Sequence, residues 1–145
     1  MNIEQYLIKI CFLLVWISYA VLDGYRDAHF YHNRNTSTNP SLKNIHWVYF
    51  MQRLILGVVI YFGFNQVFSM LDSFVFCAGL ILVFSYFHNG MYYLTRHELD
   101  HSIYPKGWDS DSISSEATLE FSYKIRAMLL IIGSLGIFTS IFNLT

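Results

Sequence analysis

Two ladders of chemically capable side chains run through one stretch of this sequence. His88, Tyr92, Arg96 and Asp100 recur at four-residue intervals, and Asn89, Tyr93, His97 and His101 form the adjoining ladder. On a helix each ladder is a single stripe. Asp23 and Asp27 share the same spacing earlier in the chain. Imidazole nitrogens and carboxylate oxygens make up the donor set for zinc, iron or manganese, so Asp23, Asp27, His88, His97 and His101 are the metal-ligating residues to consider. His97-x-x-x-His101 would present two imidazoles on one face. Arg26, Arg53 and Arg96 supply the complementary chemistry: they bind an anion such as a headgroup phosphate, or they neutralise the aspartates. The second use is the plainer one, with Asp23 and Asp27 paired to Arg53 and Arg96, because charges near an apolar interior normally pair.

Other motifs carry less. Glu98-Leu-Asp-His101 matches the Glu-x-x-His ligand pair of di-iron helical bundles, but those bundles need two copies and only one is present. His29-x-x-His32 reads as a solvated surface pair. No Gly-x-Ser-x-Gly elbow and no phosphate-cradling glycine loop occurs, and the serines of Ser110–Ser115 adjoin no base. The histidines are too dispersed for the clustered set of membrane fatty-acid hydroxylases. Asp23-Gly-Tyr-Arg-Asp27 lacks the paired downstream aspartates of phospholipid-headgroup transferases. Neither family is assigned.

The elements that must position these residues follow from where charge is missing. Of 145 residues 54% are hydrophobic and only 13% charged, too few charges for an ordinary water-soluble domain. Asp, Glu, Lys and Arg are absent from Ile10–Leu22, Leu54–Leu71, Ser73–Thr95 and Ala127–Thr145. The last three approach the ~20 residues that cross a hydrocarbon core. The first reaches that length only if Lys9 is included, its flexible stem carrying the ammonium to the nearer interface. A signal peptide is the competing reading of this N-terminus, but no small-residue cleavage site follows. The expectation is an all-α polytopic membrane protein: a four-transmembrane-helix bundle with spans near 5–23, 53–71, 73–94 and 125–144 and a tight turn at Asp72. The polar segments 24–52 and 95–124 then share one side.

Eight basic residues fall on that side, Arg26, Arg34, Lys43, Arg53, Arg96, Lys106, Lys124 and Arg126, against Lys9 alone on the other. The positive-inside tendency therefore puts the long segments in the cytoplasm and both termini outside. All six histidines, His29, His32 and His46 included, sort with them. Few helix breakers occur before Asn39-Pro40 and Pro105, so helices 1 and 3 should run past the bilayer surface. Asp23 and Asp27 should then lie level with Tyr92 and Arg96, near Tyr49, Arg53, Glu120 and Tyr123. Trp47 and the Tyr104-Pro105-Lys106-Gly107-Trp108 turn suit the headgroup level, and Glu116 and Glu120 share a helical face. Gly133, Ser134 and Gly136 allow close helix contact, including self-association. Cys11 and Cys77 read as buried small hydrophobes.

Three functions fit: a structural or accessory membrane protein that presents its cytoplasmic segments to a protein partner; a metal-dependent enzyme acting on lipid headgroups; and a component of an oligomeric channel or a transporter. A net charge of −1 with scattered basic residues implies no nucleic-acid partner.

Overall fold

The computed structural model describes residues 3–35, 45–111 and 121–142, with backbone alone for 33–35 and 45–50. It is all-helical: α1 (Ile3–Asn35), α2 (Ile45–Asn65), α3 (Met70–Leu99) and α4 (Tyr123–Ile141). At 1.5 Å per residue α1 is about 50 Å long and α3 about 45 Å, both well beyond a hydrocarbon core of ~30 Å. Three of the helices, α1, α3 and α4, are long and apolar enough to cross a membrane, whereas the apolar part of α2, Met51–Asn65, is shorter.

The helix ends depart from the charge-free runs. The chain turns at Gln66–Ser69 rather than at Asp72, and α3 begins at Met70. Ser69 is the N-cap, its Oγ accepting from the Asp72 amide at 3.2 Å. Asp72 thus lies in the first turn of α3, where the partial positive charge of a helix start favours a carboxylate. A charge that looks like a boundary is the first turn of a helix long and apolar enough to cross a membrane. Ser122 caps α4 in the same way, accepting from Ile125 N at 3.4 Å. At its far end α3 stops at Asp100, whose carboxylate accepts from the Ser102 hydroxyl at 2.6 Å and from the amides of Ser102 and Ile103. The Ser102 hydroxyl above all, then those amides, holds the Asp100 carboxyl below the usual range. The turn is therefore firm at neutral pH and loosens only as pH falls through that lowered value.

α3 is the central element, with α1 and α4 against it and α2 touching it along a shorter line. Two glycine contacts set these distances. A Cβ on Gly24 would overlap the carbonyl of His88, so α1 and α3 meet backbone to backbone there. Gly79 and Gly133 do the same for α3 and α4, each facing the other's carbonyl oxygen. Gly133 is therefore used within the chain.

Between the ends the packed interior is apolar. Trp16, Phe64, Phe76, Leu80, Val83 and Ile137 form the core, and the indole N–H of Trp16 donates to the Leu80 carbonyl at 2.8 Å. Outside, Leu14, Val15, Leu54, Val59, Phe74, Ile81 and Ile131 are exposed while Lys9, Asp23, Asp27, Asp72, His88 and Arg126 are buried. Apolar outside and ionic inside is the arrangement a lipid solvent demands. Cys11 is exposed on this apolar surface and Cys77 is partly buried; both are free thiols.

Lys9 does not reach for the interface. It is fully buried, and its three donor hydrogens go to Asp72 Oδ1 at 2.9 Å, Asp72 Oδ2 at 2.7 Å and the Ser140 carbonyl at 2.8 Å. The Ser140 hydroxyl also donates to Asp72, and the ring of Phe68 lies under the ammonium. α1, α3 and α4 are joined at one point. Removing one partner leaves an uncompensated buried charge, so Lys9→Met should cost about 3–5 kcal/mol, whereas Lys9→Met combined with Asp72→Leu should recover most of it. Unfolding in mixed micelles measures both.

Candidate functional site

The Lys9–Asp72 contact fixes the register of two helices that run the same way. A partner offset of 63 residues puts Asp23 level with Tyr86 and Asp27 level with Gly90, so both carboxylates reach His88. They fall six residues, nearly two turns, short of the expected level of Tyr92 and Arg96. Arg53 arrives from α2, which runs the opposite way.

Arg53 Nε donates to Asp23 Oδ2 at 2.7 Å, and its Nη2 donates to Asp27 Oδ2 at 2.7 Å. The same Nη2 is 2.5 Å from Asp23 Oδ2 and 3.0 Å from His88 Nε2. Arg26 takes the opposite edge, its Nη2 lying 2.5 Å from Asp23 Oδ1 and 2.9 Å from Asp27 Oδ1. The Asp23 contact is an ion contact without hydrogen-bond geometry, so Asp23 Oδ1 is buried and accepts no hydrogen bond. The remaining bonds assign the imidazole. Nε2 of His88 has two contacts, the Arg53 Nη2 donor at 3.0 Å and the Asp27 Oδ2 acceptor at 3.3 Å; with the nearer one satisfied, Nε2 presents its lone pair and Nδ1–H donates to Asn89 Oδ1 at 2.9 Å. Asn89 in turn donates to Ser85 Oγ at 3.3 Å. The charges of the two carboxylates and the two guanidinium groups cancel. Phe84 stacks on the His88 ring and lies beneath Arg53, closing the apolar side.

Of the sequence-predicted metal residues, Asp23, Asp27 and His88 come together, their ligand atoms within 4.8 Å of one another; they form the one such set among the described residues. His97 and His101 are not in it. Their rings stack at 4.3 Å and 29°, which points their in-plane lone pairs along near-parallel planes instead of onto one ion. His97 Nδ1 donates to the Tyr104 carbonyl at 2.7 Å. Nor does Arg96 pair with the aspartates. It donates to Tyr92 Oη at 2.9 Å and lies 3.8 Å from the Tyr104 ring centroid, while Arg26, three residues from Asp23 on the same helix, takes the expected place.

The segment after α3 folds back along it. The Trp108 indole fills the space a Cβ on Gly90 would need, so this aromatic docks on the bundle. Arg126, fully buried, donates to the carbonyls of Trp108 at 3.1 Å and Ser110 at 2.9 Å and lies over the Tyr93 ring. Sequence reasoning counted Arg126 only as a basic residue; the signal missed is its place inside the first turns of an apolar helix, where an arginine must find acceptors. A shallow hollow of about 360 Å³ in this strap is lined by Tyr104, Pro105, Lys106, Ser110 and Asp111 among others, with no convergent set of titratable groups. Lys43, Glu116 and Glu120, and the side chains of Arg34, His46, Trp47 and Tyr49, lie outside the described residues.

No protein-family model, curated protein or solved structure matches this chain, so its geometry carries the functional reading.

The His97–Tyr104 bond ties the strap to α3. His97→Ala should therefore cost about 1 kcal/mol. Hydrogen exchange should speed up for amides 103–110 while those around Asp23 and His88 stay protected.

Proposed function

We propose that this chain is a small four-span membrane protein with a structural or accessory role, and that its polar layer holds the helices in register for a partner that docks on the cytoplasmic segments. One observation carries this reading: Arg53 Nη2 sits at the meeting point of Asp23, Asp27 and His88, so all three are engaged in joining α2 to α1 and α3. In this reading α2 is the fourth span. Its 21 residues would extend about 32 Å, enough for a hydrocarbon core. The basic bias puts both termini outside and the segments near 24–52 and 95–124 in the cytoplasm.

The two rival readings draw less support. An enzyme that holds a headgroup phosphate needs a free cationic arm, yet Arg26 and Arg53 face carboxylates and Arg96 is held by Tyr92 and Tyr104. A transporter or channel needs a polar path. Fourteen residues of α1, about 21 Å, separate Lys9 from Asp23, and Trp16, Phe64, Phe76, Leu80 and Val83 fill the interval.

Purified protein reconstituted in liposomes should leave proton and potassium flux at the protein-free rate; sustained flux would move the reading to the pore class. In native membranes, a Lys106→Cys variant should react with an impermeant thiol reagent only from the cytoplasmic face. A His97→Ala/His101→Ala variant should keep assembly and cellular function, and loss of function with the fold preserved would sink the accessory role.

A further inference from the structure

We propose that Asp23 Oδ2, Asp27 Oδ2 and His88 Nε2 form a divalent-cation site whose resident occupant is the Arg53 side chain, so that a metal ion and α2 compete for the same three atoms. The spacing of those atoms is the first support. His88 Nε2 lies 3.3 Å from Asp27 Oδ2 and 3.5 Å from Asp23 Oδ2. Neighbouring ligands around a tetrahedral ion at about 2.1 Å are separated by about 3.4 Å. Both separations from His88 therefore match those of metal ligands, one ligand atom from each residue lies within 4.8 Å of the others, and a positively charged nitrogen already fills the space between them.

The surroundings are arranged as a metal site requires. Arg26 engages the Oδ1 atoms of both aspartates, which leaves both Oδ2 atoms facing the centre. Asn89 holds the Nδ1–H of His88, so the Nε2 lone pair is aimed inward; this is the outer hydrogen bond that orients a ligating histidine. Three protein ligands of O, O and N character suit zinc, manganese or iron and leave one position open for water or a second ligand.

The ligands and the occupant belong to different bodies. Asp23, Asp27 and His88 sit on α1 and α3, which are in backbone contact at Gly24, whereas Arg53 comes from α2, the helix with the shortest line of packing on α3. The Arg53 side chain is 27% exposed, compared with 1% and 8% for the two aspartates, so it can leave toward water without opening the α1–α3 contact. Metal entry would then release the inner end of α2 and leave the other two helices in register. This goes beyond the scaffold reading by giving the polar layer a ligand.

The test uses full-length, tag-free protein purified without chelators and dialysed against Zn2+ or Mn2+. Arg53→Ala should bind one ion per chain, at least about tenfold more tightly than native protein, and bound metal should raise its unfolding temperature. Adding His88→Ala should abolish the site. Adding Asn89→Ala should weaken binding by about tenfold with unchanged helix content, an effect on orientation that a purely structural asparagine would not have. Metal binding by Arg53→Ala no stronger than native, or insensitive to His88→Ala, overturns the proposal. If Arg53→Ala does not fold, native protein decides: excess Zn2+ should occupy one His88-dependent site per chain, and its absence overturns the proposal equally.

Discussion

A charge placed in hydrocarbon must find its counter-charge within the protein, and most of this fold follows from meeting that demand twice. Lys9 meets it with Asp72 and Ser140, where every donor of the ammonium has an acceptor. Because those groups come from α1, α3 and α4, satisfying the charge also levels three helices at one end. The second cluster, about 21 Å further along α1, cannot choose its own register. With α1 and α3 already aligned, Asp23 and Asp27 arrive at His88, and the glycine at position 24 lets the two backbones close there. The first pair thus decides which residues make up the second.

The two clusters differ in how they close. At Lys9 every group is buried and the ion pair is as inaccessible as the core. At Asp23 and Asp27 the carboxylates are buried but their cations reach in from the surface, Arg26 with a half-exposed side chain and Arg53 with a quarter of its own in contact with solvent. Buried acceptors served by retractable donors make a cluster whose composition can change while the backbone beneath it stays put. That contrast makes only the second cluster a candidate for function.

Much of the fold was legible from charge-free runs, because exclusion of charge from hydrocarbon is a strong sequence constraint and the helices it marks are long. It failed where a charge is tolerated. Lys9 and Asp72 each looked like a span boundary, and their pairing could not be read because the residues lie on different helices; displacing Asp72 from the turn also shifted the register, so Arg96 was matched to the aspartates in place of Arg26. The i, i+4 spacing put Asp23 and Asp27 on one face of α1, but it levelled them with Tyr92 and Arg96, six residues beyond the Tyr86–Gly90 stretch where they meet His88. The same spacing overcounted at His97 and His101, since sharing a face says nothing of ring orientation, which a single bond to the Tyr104 carbonyl fixes here. Arg126 escaped notice because its partners are backbone carbonyls of the strap, which no side-chain pattern records.

Arg53 shows why residue type matters as much as charge at such a junction. A guanidinium can place Nε on one carboxylate and Nη2 on the other while still touching the imidazole, because its donors are fixed in a planar fork. A lysine would bring one nitrogen to the same point and lose the second direction of contact. The fork gives α2 a defined angle and height against α1 and α3, and α2 meets α3 along a shorter line than α1 or α4 does. Whatever displaces that side chain therefore acts on α2 first.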